Sequence, residues 1–421
     1  MRIGFVNYSD SSGGAARATF TLAEGLRAKG NDLRLFVEDK TTDYPWVISA
    51  AKSATETRIR ALIPSIDAIP SFFYQRVSGP QMSFNFLATN RRLLENLNLF
   101  NPDVVNLHWV GAGNVPIKMI KNIKSPLVIS LYDMWPFTGG CHYDNFCGKF
   151  IQNCGECPLL SSQKKDLTSK VIYLKQRAYQ GRNITFVSPS TEMTAQAKKS
   201  FLLKNESVVT IPHGIDFNRL KIVDRKLSRE LLGIPKDKVY LLFGCTGGVK
   251  DDRKGFKYIV ESLKILNDVL PKNAAILLFG TSNNPFSDDA FNIPVIPMGR
   301  IYDDATLSLL YSAADLTMMP SKQEALGLTS IESLACGTPV IGFDKTGITD
   351  IISHQITGYL SKAFEVDDFA NGINWILSNI DSHKRGMLRD SVFHNFRLEK
   401  ITQLYQALYE EIIENNKNKD E

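Results

Sequence analysis

The 421-residue chain contains no apolar run near the roughly 18–20 residues that a membrane-spanning helix needs. Its opening apolar segment turns polar at Asn7, too early for a secretory h-region, so the expectation is a cytosolic protein. Cysteine is scarce: the six present are too few for a disulfide scaffold. Net charge is scarce as well, because 49 Lys+Arg against 44 Asp+Glu leaves +5, far from the clustered excess of a dedicated nucleic-acid binder. A G-x-S-x-G elbow is missing, and no Ser/His/Asp set stands out. Tyr8-Ser9-Asp10-Ser11-Ser12-Gly13-Gly14 lacks G-x-G-x-x-G, which speaks against a nicotinamide-dependent dehydrogenase. There is no repeat of 20–50 residues and no low-complexity tract.

What the chain does have is a rhythm. Short aliphatic or β-branched runs at Ile3–Asn7, Leu33–Val37, Val104–Leu107, Leu127–Leu131, Thr185–Val187 and Val208–Ile211 read as buried parallel strands separated by helices. A charged interval from Phe217 to Lys238 follows. The rhythm then restarts at Val239–Gly244, Ala275–Gly280, Val295–Met298, Leu316–Met319 and Pro339–Gly342. The pattern predicts two doubly wound α/β lobes of Rossmann-like type, whose ligands sit beyond the carboxyl ends of the strands, in a cleft between the lobes. Ile401, Leu404, Tyr405, Leu408, Tyr409 and Ile412 recur at helical spacing and require a surface to pack on.

The densest chemistry follows Leu316–Met319, in Pro320-Ser321-Lys322-Gln323-Glu324-Ala325-Leu326-Gly327-Leu328-Thr329-Ser330-Ile331-Glu332. A strand, a loop and a helix start are expected there. Gly327 allows the backbone to approach a ligand, and the amides at a helix start near Leu328 suit phosphate. Glu324 and Glu332, one before the helix and one inside it, could hold the two ends of a ligand with hydroxyls at both ends, such as a nucleotide sugar.

Glu324-x7-Glu332, followed by Ala335-Cys336-Gly337-Thr338-Pro339, resembles the signature of the family 4 glycosyltransferases, retaining enzymes of GT-B fold. Gly13-Gly14, Ile211-Pro212-His213-Gly214-Ile215-Asp216 and Arg253-Lys254-Gly255 extend the resemblance along the chain. Asp133-Met134-Trp135-Pro136-Phe137-Thr138-Gly139-Gly140-Cys141-His142-Tyr143 is similar to a subgroup that builds bacterial surface polysaccharides, such as lipopolysaccharide O-antigen and capsule.

The resemblance implies two domains, an acceptor-binding one of residues 1–216 plus 395–421 and a donor-binding one of 217–394, with the last helix crossing back to the first lobe. It implies a sugar nucleotide as donor and no metal requirement for catalysis. Glu332 would accept from ribose hydroxyls, Glu324 would face the donor sugar, and backbone amides of Leu326, Gly327 and Leu328 would hold sugar and distal phosphate. Lys254, with Arg253 as a partner, would neutralise the diphosphate; Gly14 would offer amides to it from the first lobe, with Arg17 nearby. The family arginine expected a few residues before Arg253 is missing from Gly244-Cys245-Thr246-Gly247-Gly248. Where the family carries a histidine after the fourth strand, this chain reads Tyr132-Asp133, leaving either His108 or Asp133 for the role near the transferred sugar or acceptor. His213 would support the turn at the lobe junction. A nucleotide-sugar 2-epimerase and a non-catalytic sugar-nucleotide binder stand as alternatives.

Two features lie outside that frame. Cys141, Cys147, Cys154 and Cys157 cluster within 17 positions and could bind structural Zn²⁺; a redox pair at Cys154/Cys157 or plain thiols are the other readings. Ala51–Arg92 carries the basic residues Lys52, Arg58, Arg60, Arg76, Arg91 and Arg92 among five aromatics. It reads either as a helical excursion packed on the first lobe or as a peripheral membrane surface for a lipid-linked oligosaccharide acceptor.

Overall fold

The computed structural model describes residues 1–51, 53–74, 82–86, 90–244, 251–281, 293–380 and 382–420. Lys52, Arg76, Cys245 and the Thr246–Gly248 stretch lie outside the described residues. The chain divides into two compact units, Met1–Gly214 with Ile401–Glu421, and Ile215–Lys400.

The first unit is built on β1 (Arg2–Ser9), β2 (Asp32–Asp39), β3 (Val47–Ser49), β4 (Val104–Leu107), β5 (Leu127–Ser130), β6 (Ile184–Ser188) and β7 (Ser207–Thr210). They form one parallel sheet in the order β3-β2-β1-β4-β5-β6-β7. Strands such as β4 and β5 are buried at every position, as a sheet covered on both faces demands. The helix Gly13–Ala28 covers one face with Ala16, Thr19, Leu22, Ala23 and Leu26, three or four residues apart. The final helix, Leu398–Asp420, places Ile401, Tyr405, Tyr409 and Ile412 in the same core as Ile3, Phe5, Val104 and Val128. Asn106 on β4 donates to the Tyr409 hydroxyl at 2.7 Å. The last helix therefore completes the first unit's core.

The second unit is built on β8 (Val239–Gly244), β9 (Ala274–Phe279), β10 (Val295–Gly299), β11 (Leu316–Met319), β12 (Val340–Phe343) and β13 (Gly358–Ser361). Its parallel order is β10-β9-β8-β11-β12-β13. Successive residues alternate between two cores: Tyr240, Leu242, Leu277 and Val340 enter one, Leu241, Phe243, Leu278 and Ile341 the other. That period of two marks the two faces of the sheet. Ile215 accepts from the Leu398 amide and donates to the Phe396 carbonyl, so the chain enters and leaves this unit side by side.

Strand order reverses between β1 and β4 in the first unit and between β8 and β11 in the second. Ligands of open α/β sheets bind at such switch points.

Candidate functional site

In the second unit the reversal brings together the turn Asp252–Lys254 and the loop after β11. Asp251 starts the turn by accepting from the Arg253 amide at 3.1 Å. The two segments are tied at four places. Lys322 donates to Asp252 at 2.6 Å and its amide to the Arg253 carbonyl at 2.7 Å. Arg253 Nη1 donates to the Gln323 carbonyl at 3.1 Å, and Lys254 Nζ donates to Glu324 at 2.8 Å. Gly255 makes the approach possible: its φ is +68°, and a Cβ there would stand 1.8 Å from the Pro320 carbonyl oxygen. No other residue type fits.

Burial alone would push the Glu324 carboxyl up; the charges of Lys254 and then Arg253, with hydrogen bonds from Lys254 and Ser321, outweigh it and hold the carboxyl below its ordinary value. Arg253, Lys254 and Lys322 face Asp251, Asp252 and Glu324, three charges of each sign in one cluster.

The helix Leu328–Ala335 begins at Gly327, whose φ of +94° and distance of 2.7 Å from a would-be Cβ to Ile348 Cγ2 again exclude a side chain. No side chain caps this helix, the Ser330 amide donates to the Gly327 carbonyl at 2.9 Å, and the helix start suits an anion. Ser330 Oγ, fully buried and without a hydrogen-bond partner, lies 3.5 Å from that same Cβ position. Glu332 is buried one turn in and accepts from the Tyr311 hydroxyl at 2.8 Å. One edge of one sheet thus presents two cations, a helix start and two glutamates, a set suited to an anion flanked by hydroxyl groups. Arg253, Lys254, Glu324, Leu326, Gly327, Leu328 and Glu332 all stand in this neighbourhood. Lys322, Asp252, Ser330 and Tyr311 were not anticipated: Lys322 and Ser330 lie inside a motif window and Asp252 adjoins one, whereas Tyr311 is 21 residues from its partner and leaves no local signal.

In the first unit Gly14 is exposed at the start of the helix that follows β1, and Arg17 is half-buried one turn later. Tyr132 OH accepts from Thr19 at 3.0 Å and lies 3.2 Å from His108 Nδ1, while its ring stacks on His213 with centroids 4.6 Å apart. Burial holds the Tyr132 phenol above its ordinary value and lowers both imidazoles, His108 strongly, with the charge of His213 adding to its shift, and His213 to about 4. Both histidines are therefore neutral at physiological pH. If the Tyr132 hydroxyl, already accepting from Thr19, donates to Nδ1, the His108 proton sits on Nε2, which is buried and without a partner.

Asp133 is more committed than its sequence position suggests. One carboxylate oxygen accepts from the Trp135 amide at 2.8 Å, the other from Trp109 Nε1 at 2.9 Å and from His142 Nδ1 at 2.6 Å. His142 Nε2 in turn lies 3.1 Å from Ser83 Oγ. The sequence showed no Ser/His/Asp set, yet the fold assembles Ser83, His142 and Asp133 in line. All three are buried, and Asp133 and His142 line a cavity of about 10 Å³, room for about one water molecule, so the set clamps the loop.

The sequence suggested structural zinc at Cys141, Cys147, Cys154 and Cys157. Among the described residues no group of three or more His, Cys, Asp or Glu is placed to hold a metal ion. Burial pushes the Cys141 thiol well up, Cys154 to about 12 and Cys157 to about 11. Cys141 and Cys157 pack with Leu159 and Leu160 as small apolar groups. Beside them, fully buried Lys175 donates to the Trp135 and Thr138 carbonyls, with Nζ 3.7 Å from the centroid of the Trp135 ring; burial lowers it to about 7.

The Ala51–Arg92 stretch contributes the helices Ala54–Arg60, Ile63–Ala68 and Arg91–Phe100. Phe72 and Phe73 are 74% and 85% exposed, near exposed Ile59, Leu62, Ile66 and Ile69. Arg60 pairs with buried Glu38 at 2.6 Å, and Arg92 with exposed Glu95 on its own helix at 3.3 Å. Among the described residues no helix is long and apolar enough to cross a membrane.

Two family models match the chain: one described as Glycosyltransferase Family 4 over residues 12–219, the other as Glycosyl transferases group 1 over residues 224–387. N-acetyl-alpha-D-glucosaminyl L-malate synthase of Bacillus anthracis is 33% identical over 111 residues, 26% of this chain and 29% of that enzyme. Matches to it and to another curated relative span from 29% to 66% of their lengths. Among solved structures, sucrose-phosphate synthase of Thermosynechococcus elongatus superposes with a TM-score of 0.69 at 19% identity, over 98% of this chain and 99% of that one. HepE of Anabaena, solved with UDP and glucose, gives 0.63 at 16% identity over 98% and 100%. These structures share the two-lobed GT-B fold with this chain.

Proposed function

From the membership of this chain in the family 4 and group 1 glycosyltransferases, we propose that it transfers a sugar from a nucleoside diphosphate donor to a hydroxyl of an oligosaccharide acceptor, with retention of anomeric configuration. The observation that carries this reading is the Lys254–Glu324 contact of 2.8 Å beside the start of the helix Leu328–Ala335, with Glu332 one turn further on.

The diphosphate sits at the helix start and competes with Glu324 for Lys254. As Lys254 turns to phosphate, Glu324 is released to accept from hydroxyls of the donor sugar, while Glu332 accepts from the ribose. Negative charge growing on the leaving diphosphate is then met by Lys254, Arg253 and oriented amides, a set able to stabilise it without a divalent metal. A phosphate oxygen takes the acceptor proton, so no protein nucleophile is needed. In the first unit the family resemblance assigns Gly14 and Arg17 to the diphosphate, and Tyr132, held by Thr19 and His108, takes the sequence position of the family's histidine. Asp133 acts through the loop that it anchors, and supports the acceptor rather than performing chemistry.

The acceptor is a lipid-linked oligosaccharide of a bacterial surface polysaccharide. Support comes from the Asp133–Tyr143 segment and from the exposed apolar residues between Ile59 and Phe73, which suit the edge of a membrane.

The test is release of nucleoside diphosphate from a panel of nucleotide sugars by the purified protein, with and without acceptor and with EDTA present. Acceptor-dependent release that survives EDTA is expected. Binding without turnover would overturn the transferase reading, and a donor epimer formed without acceptor would replace it with an epimerase.

A further inference from the structure

Tyr311 lies on the helix Asp304–Ala313 and is completely buried. Its hydroxyl donates to Oε2 of Glu332 at 2.8 Å, from one helix to another. Its ring is fixed by edge-on contact with Phe279, centroids 6.0 Å apart at 81°, and its backbone carbonyl accepts from Thr338 Oγ1 at 2.6 Å. The phenol oxygen is thus set by the core, and the carboxylate is set by the phenol. A free glutamate side chain must give up rotamers each time it binds; one already held by a charge-assisted hydrogen bond has paid less to do so.

We propose that Tyr311 is a positioning residue that turns the Glu332 carboxylate toward the ribose hydroxyls and so sets the preference for ribonucleotide over deoxyribonucleotide donors. This rests on the reading of Glu332 as the ribose acceptor. A site built to accept from hydroxyls rejects an analogue that lacks them, because its acceptor is left unpaired. Loosening that acceptor weakens the rejection without touching phosphate binding at Lys254.

Calorimetric titration of the purified chain with UDP, GDP and ADP, followed by the 2′,3′-dideoxy form of the tightest binder, tests it. The wild type is expected to prefer the ribose form by about tenfold or more. Tyr311→Phe keeps the ring and removes one oxygen; it should cut the preference severalfold while leaving the dideoxy Kd within about twofold. Glu332→Asp, which withdraws the carboxylate from Tyr311, should do the same, and Glu332→Gln should abolish the preference. If Tyr311→Phe or Glu332→Asp retained the wild-type ratio, or weakened both nucleotides equally, the positioning role would be overturned. If the wild type and Glu332→Gln gave the same ratio, the ribose role of Glu332 itself would fall.

Discussion

Lys254 answers to a carboxylate 70 positions away, and the pairing makes its substitution informative. Lys254→Met removes the charge nearest the leaving diphosphate and leaves the part-buried Glu324 carboxylate with less compensation. A fall in kcat/KM of about 100-fold is expected, read from steady-state kinetics with saturating acceptor. The buried imidazoles of the first unit bear on pH. His108 and His213 both titrate below the ordinary histidine value of 6.5, His213 at about 4. A folded-state pKa below the unfolded one favours the neutral form, so their contribution is complete above 6.5 and is lost as pH falls from there toward 4. Melting of the protein should become acid-labile in that window, and His213→Asn should flatten the dependence; an unchanged slope would contradict the assignment.

At the scale of elements, the sheet edge in the second unit depends on Gly255. Gly255→Ala places a methyl carbon on the Pro320 carbonyl at a residue of positive φ, and at least about 2 kcal/mol of stability should be lost, together with nucleotide binding. Chemical denaturation and nucleotide titration check both. Much of this region was readable beforehand, because strand, loop and helix follow in order and Glu324 and Glu332 keep their spacing in any such fold. β3 was missed because three residues carry no period, and β13 because Gly358-Tyr359-Leu360-Ser361 has no apolar run. Tyr311, His142 and Ser83 were invisible for another reason: each meets its partner through tertiary packing, and no local pattern records which buried hydroxyl or imidazole will face which acid. The spacing of the cysteines places four thiols in one loop, and among the described residues they form no metal-holding group.

The first unit, viewed whole, is assembled from two distant stretches of chain. Its last helix buries Tyr405 and Tyr409, and Asn106 depends on the Tyr409 hydroxyl at 2.7 Å. Tyr409→Phe leaves that amide without an acceptor and should cost about 1–3 kcal/mol, measured by denaturant titration. Removal of residues 401–421 should abolish cooperative unfolding of the first unit while the second still binds nucleotide. The same arrangement governs biosynthesis. Before the final helix emerges from the ribosome, the sheet face of residues 1–214 that the helix Gly13–Ala28 partly covers still lacks Ile401, Tyr405, Tyr409 and Ile412, whereas residues 215–400 hold the six described strands of the second sheet. The unit translated second can therefore finish folding first, and the unit translated first must wait, with apolar surface open to chaperones, until residues 401–420 have emerged.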